Sequence, residues 1–341
     1  MKNILVTGGA GFIGSNFIKY ALETYDYNVV NFDKLTYAGN LENLVDVEFN
    51  ERYKFVKGDI CEKEEVERAV KENEIDTIIN FAAESHVDRS ILGAEEFINT
   101  NVKGTHVLLE VLKKNDIEKY LQVSTDEVYG SLPEDNKEIK FTEKTPITTN
   151  SPYSASKASA DLLCNAFYHT FHLPILITRC SNNYGPYQFP EKLIPLMIAK
   201  ALSGEKLPVY GDGKNIRDWL YVEDHCTAIM DVLHKGKDGE VYNIGGDNEW
   251  YNIDIVKLIL KELNKSEDQI QYVKDRPGHD RRYAIDSTKM MTELGWKPKY
   301  NFEDGIEKTI KWYIDNEDWW TKVMSGEYQS YYEENYGNKI Q

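Results

Sequence analysis

Two carboxylates stand side by side in Ser124-Thr125-Asp126-Glu127-Val128-Tyr129-Gly130, directly after the strand-like run Lys119–Thr125. A hydroxyl at the end of such a strand can hydrogen-bond an alcohol being oxidised, and neighbouring carboxyls with separated pKa values divide into an acid and a base. Asp-Glu pairs are also common in solvated loops and helix caps. This pair follows a buried strand, at the sheet edge where open α/β folds bind ligands. A second pair lies in Ser151-Pro152-Tyr153-Ser154-Ala155-Ser156-Lys157, where Tyr153 and Lys157 are four apart and share a helix face. An ammonium near a phenol favours phenolate, the base needed to take a proton from a sugar hydroxyl. The same spacing also occurs on solvated helix faces. Arg179-Cys180-Ser181-Asn182-Asn183-Tyr184-Gly185-Pro186 ends a further strand, with amides suited to a diphosphate-linked sugar, and Lys192 adds a cation at a helix start.

These groups need a partner that moves electrons, and the N-terminus has a place for one. Thr7-Gly8-Gly9-Ala10-Gly11-Phe12-Ile13-Gly14 lies between a strand and a helix, with Gly8, Gly11 and Gly14 every third residue. Bare backbone and the positive end of a helix suit a pyrophosphate, although glycines at this spacing also make tight turns. Asp33 ends the next strand 19 residues after Gly14. A carboxylate there accepts from both adenosine ribose hydroxyls and repels a 2′-phosphate. Lys34 beside it would favour that phosphate, yet Asp33 holds the strand end, so NAD is expected rather than NADP. Asp59-Ile60 ends a strand within reach of an adenine, with a helix N-cap as the other role for Asp59. Phe81-Ala82-Ala83 gives small residues where backbone passes a cofactor.

The elements that would position these groups alternate. Strands are expected at Asn3–Thr7, Asn28–Asp33, Lys54–Asp59, Thr77–Ala83, Lys119–Thr125 and Pro174–Arg179, and helices at Ser15–Tyr25, Glu62–Asn73, Glu95–Lys114 and Tyr153–His172. The expected fold is α/β, a doubly wound parallel sheet of Rossmann type with a smaller loop-rich substrate lobe. Residues 1–181 should form the cofactor domain, which also carries the catalytic groups. Residues 182–341 should mainly bind substrate, with some segments returning to the first lobe. Helices are expected there near Leu193–Ser203, Val222–His234 and Ile253–Asn264, and in an aromatic tail, Asp304–Tyr328.

Composition sets the outer bounds. The chain has 341 residues, 41% hydrophobic and 28% charged, with a net charge of −17 that disfavours nucleic-acid binding. No apolar run reaches a membrane-spanning length, and the Met-Lys-Asn start does not read as a signal peptide, so a cytoplasmic protein is expected. Cys61, Cys164, Cys180 and Cys226 lie far apart and read as reduced thiols. His169 and His172 sit at helical spacing without a third ligand, so no metal is expected.

The glycine loop, the YSASK motif and RCSNNYGPYQFPEKLIP together resemble the extended short-chain dehydrogenase/reductase family, which acts on nucleotide sugars. The resemblance covers nearly the whole chain. Ser124–Gly130, Leu35–Asn40, Ala82–Ser90 and Asp275–Tyr283 are similar to the branch that dehydrates dTDP-glucose. Family members that epimerise UDP-sugars have small residues where Asp126 and Glu127 stand. A UDP-sugar 4-epimerase, a GDP-mannose 4,6-dehydratase and a non-catalytic NAD-binding sensor are the competing readings.

The resemblance implies NAD, dTDP-glucose and a homodimer formed through the helices Glu95–Lys114 and Tyr153–His172. It implies that Tyr153 takes the proton of the 4-hydroxyl, that Glu127 removes the hydrogen on carbon 5, and that Asp126 protonates the departing 6-hydroxyl. Burial and the charge of Glu127 would raise Asp126 above its ordinary pKa of about 3.9, as an acid requires. It further places Phe12, Ile13, Leu35, Thr36, Ser85, Thr100, Asn183, Tyr153 and Lys157 against the cofactor. The nucleotide sugar would meet Ser85, His86, Thr125, Asn182, Lys192 and Leu193, and also Arg217, Asn252, Asp275, Arg276 and His279. Pro208, Val209 and Tyr210 would lie beside the thymine. Arg217 suits a diphosphate bidentately, with an ion pair to Asp218 as the other possibility. A local cluster of Arg217, Arg276 and Arg281 would offset the negative whole.

Overall fold

The computed structural model describes residues 1–325. The end of the expected tail helix, 326–328, and residues 329–341 of the second predicted lobe lie outside the described residues. Strands β1 (Asn3–Thr7), β2 (Asn28–Asp33), β3 (Tyr53–Lys57), β4 (Thr77–Asn80), β5 (Lys119–Thr125), β6 (Ile175–Cys180) and β10 (Val241–Ile244) form one sheet. Its order is β10-β6-β5-β4-β1-β2-β3, and every pairing is parallel. Alternate side chains of β1 enter different cores: Ile4 and Val6 meet Phe17 and Ile18 of α1 (Phe12–Thr24), while Leu5 joins Val66 of α2 (Lys63–Glu72) and Leu108. Such two-sided burial explains the near-continuous apolar strands. The order reverses direction at β1, between β4 and β2, which opens a crevice at the carboxyl ends.

β4 stops at Asn80, short of the expected Ala83, because the backbone then turns along the glycine loop. A Cβ built on Gly8, whose φ is +68°, would lie 2.6 Å from Ala82 N. The expected helix Glu95–Lys114 is broken into α4 (Glu95–Phe97), a wide π turn (Ile98–Gly104) and α5 (Thr105–Lys114). Such turns are rare and frequent at functional sites, and Thr100 lies in this one. The helix α3 (Val87–Leu92) precedes it, and α6 (Pro152–Phe171) packs alongside, started by a Ser151–Ser154 capping box.

The later half of the chain holds short strands where loops were expected: β7 (Asn182–Tyr184), β8 (Leu207–Tyr210), β9 (Ile216–Tyr221), β11 (Glu249–Tyr251) and β12 (Ile270–Val273). They make a three-stranded sheet, β11-β9-β7, and a two-stranded one, β12-β8. With α7 (Leu193–Leu202), α9 (Asn252–Glu262), α10 (Phe302–Asp315) and α11 (Glu317–Val323) they enclose a separate core around Trp219, Ile255 and Phe302. β10 and α8 (Val222–Lys235) return to the main sheet, α8 packing against α1. All four cysteines are free.

Candidate active site

The glycine loop makes a cradle because side chains are excluded on one side and absent on the other. A Cβ on Gly14 would stand 2.4 Å from Gly8 O, so that position is closed by backbone. A Cβ on Gly11 would meet only Gly8 O, at 3.3 Å, and would otherwise project into the cavity that Gly11 lines. The same cavity is lined by Phe12, Ile13, Asp33, Lys34, Thr36, Asp59 and Ile60, and by Phe81, Ala82, Ala83, Ser85 and Thr100. Leu35 does not line it. Its backbone, at φ +59°, donates to Asp33 Oδ1 at 2.7 Å, and Ala10 N donates to Oδ2 at 2.9 Å. Burial pushes Asp33 up while these two bonds oppose the shift. Asp59 is not the cap of α2, which begins after Glu62. It accepts from Cys61 N and pairs with Lys34 at 2.7 Å. Burial raises its carboxyl, but Lys34 and the Cys61 amide outweigh that and hold it below the usual range. Lys34 is thus neutralised beside the ribose-binding position, which favours a cofactor without a 2′-phosphate.

β5 delivers the reactive side chains to this cavity. Thr125 Oγ1 accepts from Glu127 N at 3.3 Å and caps the tight turn Asp126–Tyr129, turning both carboxylates inward. Asp126 is 1% exposed, and its Oδ2 has no hydrogen-bond partner among the described residues. Burial first, then the charges of Glu127 and Asp218, drive its pKa well above the carboxylate range. Burial also raises Glu127, but Arg276, Lys192 and Arg217 counter it. The pair is therefore asymmetric: both carboxyls are pushed up, Asp126 far above the carboxylate range and Glu127 against the opposing charges of three cations.

Tyr153, from the first turn of α6, is buried and lines the cavity with Lys157, Thr125, Cys180 and Asn182. Lys157 Nζ donates to Val123 O at 2.6 Å, and burial lowers its pKa. Burial and the Glu127 charge drive the Tyr153 phenol well above its ordinary value. Positive charge brought next to the phenol would act against this shift and favour loss of its proton.

A second cavity continues from the first, since Glu127, Asn182, Asn183, Gln188, Glu191 and Lys192 line both. Its far walls are His86, Leu193, Pro208, Val209, Tyr210 and Asn252, together with Arg217, Arg276 and His279. Arg217 is buried, stacks at 4.2 Å over the Tyr283 ring and donates to Ile216 O and Asp280 O. It makes no bond to Asp218, which accepts from Asn248 N. Asp275 does not line the cavity. It holds His279 Nδ1 at 2.6 Å, and burial lowers that imidazole to a pKa of about 4. Arg281 also departs from the expected cluster, forking onto Glu134 and Asp212 at the surface. Lys192, Arg217 and Arg276 are the cations that converge here, enough to receive a diphosphate in a protein of net charge −17. His169 and His172 are exposed at the end of α6.

Several lining groups escaped the sequence reading. Glu191 is 6% exposed and meets Arg89 at 3.5 Å, and its Oε1 accepts from Tyr37 at 3.2 Å. Glu84, Asp88 and Gln188 also face the cleft. Glu191 and Asp88 lie inside recognised motifs, but only the fold shows what they touch.

Over residues 5–309 the chain matches the family of GDP-mannose 4,6 dehydratase. It is 55% identical to the dTDP-glucose 4,6-dehydratase of Xanthomonas campestris pv. campestris strain B100, across 96% of this chain and 98% of that one. Among solved structures it resembles the dTDP-glucose 4,6-dehydratase of Bacillus anthracis in complex with NAD, with TM-score 0.88, 55% identity, and coverage of 95% and 100%. The dTDP-glucose 4,6-dehydratase of Streptomyces venezuelae with NAD and TYD bound gives TM-score 0.91 at 45% identity, covering 94% of this chain and 99% of that one.

Proposed function

The chain belongs to the nucleotide-sugar dehydratase branch of the extended short-chain dehydrogenase/reductase family, and we infer from that membership that it is an NAD-dependent dTDP-glucose 4,6-dehydratase. Its substrate is dTDP-glucose and its product the 4-keto-6-deoxy sugar plus water. The residues present fit the dinucleotide: the Gly11 side of the loop is open, and Asp33 is a buried acceptor at the ribose position. NAD, held by the Gly8–Gly14 loop and Asp33, would supply the redox chemistry, oxidation at carbon 4 and reduction at carbon 6.

The chain's own groups do the rest. Tyr153 accepts the proton of the 4-hydroxyl, with Thr125 as hydrogen-bond partner of that oxygen and Lys157 as the nearby cation. A ketone at carbon 4 acidifies the hydrogen on carbon 5; Glu127 removes it and, once carbon 6 has been reduced, returns a proton to carbon 5. Asp126, kept protonated by burial, gives its proton to the 6-hydroxyl, which leaves as water. Lys192, Arg217 and Arg276 hold the diphosphate, and Pro208, Val209 and Tyr210 flank the base. The observation that carries this reading is the asymmetric carboxyl pair, Asp126 buried and Glu127 half-buried where the two cavities meet. A 4-epimerase, which moves hydride off and back onto one carbon, needs neither group.

Residues 1–181 are read as the cofactor domain and 182–341 as mainly substrate-binding. A homodimer through α4–α6 is supported by exposed Ile98, Leu162 and Phe171 on those segments. Leu162→Asp is expected to shift sedimentation from dimer to monomer; an unchanged dimer places the interface elsewhere. A cytoplasmic site of action is part of this reading; no helix among the described residues is long and apolar enough to cross a membrane. The direct test is incubation with dTDP-glucose, without added reductant, followed by product mass. Loss of one water is expected, and an unchanged mass contradicts the assignment.

A further inference from the structure

Asp88 has no part in the chemistry above, yet a carboxylate facing an anion-binding cavity repels the ligand that cavity receives. It lies in α3, on the cofactor side of the cleft, and is 9% exposed. Both of its oxygens are engaged by residues far away in the chain. Arg276 Nη1 donates to Oδ1 at 3.1 Å, across 188 residues, and Tyr210 Oη donates to Oδ2 at 3.2 Å, across 122.

Those two partners leave the small sheet together. Tyr210 ends β8 in register with Val273, the end of β12, and Arg276 follows three residues later. The Tyr210 ring also meets the edge of His279 at 6.0 Å. The β8–β12 unit is thus hooked to α3 through one carboxylate, and that unit and the segment after it carry the proposed base contacts and one of the three diphosphate cations, Arg276. Arg276 Nε is buried with no hydrogen-bond partner among the described residues, so its guanidinium retains a donor beyond the one given to Asp88. The neighbouring positions do related work: Arg89 meets Glu191, and Ser85 O accepts from Lys192 at 2.8 Å. The stretch 85–89 therefore joins the two walls of the cleft.

We propose that Asp88 is a positioning residue that fixes Tyr210 and Arg276 in the orientation receiving a pyrimidine nucleoside diphosphate. The inference rests on reading the second cavity as the nucleotide site. Pairing with Arg276 offsets the repulsion an isolated carboxylate would exert. An asparagine at 88 has the same shape but loses the charge-assisted bond and the second acceptor.

The test titrates dTDP into NAD-loaded protein by calorimetry. Asp88→Asn is expected to weaken dTDP about tenfold and to raise KM for dTDP-glucose about tenfold, while kcat falls less than about threefold. In a double-mutant cycle, Tyr210→Phe is expected to weaken dTDP in the wild-type background and to add little once Asp88 is Asn. If Asp88→Asn does not fold, Asp88→Glu, which keeps both acceptors but displaces them, is judged by the same criteria. Equal or tighter dTDP binding in the variant, or an additive cycle, overturns the proposal while leaving the enzyme assignment intact. Wild-type protein that does not bind dTDP overturns the functional reading itself, and Asp88's role with it.

Discussion

Asp126→Asn separates catalysis from stability in one substitution. The replacement has the same shape, and the lost oxygen, Oδ2, has no hydrogen-bond partner among the described residues, so no packing or bonding is forfeited. What disappears is a transferable proton. General acid catalysis contributes about 10²–10⁴-fold, so kcat for dehydration should fall about 10²–10³-fold, or about 3–4 kcal/mol of barrier. Stability should move the other way. A carboxyl whose folded pKa lies above the unfolded value of about 3.9 binds its proton more tightly when folded, so it costs stability as pH rises past that value. Burial and the charges of Glu127 and Asp218 set this condition at Asp126. The variant's Tm at neutral pH should therefore equal or exceed that of wild type, with NAD content unchanged. The assay pairs turnover by product mass with thermal unfolding and cofactor release. Full turnover, or a lowered Tm with lost NAD, would refute the assignment of Asp126 as a buried acid.

The pH profile should report the same pair, with the acid limb set by Glu127, which must lose its proton, and the alkaline limb by Asp126, which must keep it. Asp218, buried with its own pKa near about 6, contributes negative charge that holds Asp126 up. Asp218→Asn should accordingly move the alkaline limb of kcat to lower pH; an unmoved limb means that another group sets it. Gly11→Val should reduce the NAD retained on purification more than about tenfold, because its Cβ meets only Gly8 O and the branches enter the cavity. Unfolding of the cofactor-free variant should match wild type, since Gly11 has φ −79°, which valine adopts. Undiminished NAD content would place the pyrophosphate elsewhere.

The sheet was readable wherever apolar strands ran unbroken: β1, β2 and β5 occupy the ranges their residues predict. The later strands were hidden by polar residues that the fold buries. β9 carries Arg217 and Asp218 at 5% and 1% exposure, so its pattern reads as a loop until partners for those charges are known. β10 is four residues long and gains meaning only from pairing with β6. Among site residues, Gly11, Asp33, Thr125, Asp126 and Glu127 were marked by position next to strand ends, and Tyr153 and Lys157 by spacing on one helix; all line the cleft. The Lys157–Val123 bond and the Asp88 contacts were not legible, since partners 34, 122 and 188 residues apart leave no local signature. Arg281 shows the opposite error: Arg276 and His279 of the same motif face the cleft, but Glu134 and Asp212 draw Arg281 to the surface.

Elimination sandwiched between two hydride movements on one bound sugar leaves an isotopic trace that neither epimerisation nor mere binding can produce. Substrate carrying deuterium at carbon 4 of dTDP-glucose, converted in ordinary water, should give a dehydrated product with the label at carbon 6. Product in which deuterium is back at carbon 4, or is lost to solvent without appearing at carbon 6, would contradict the account.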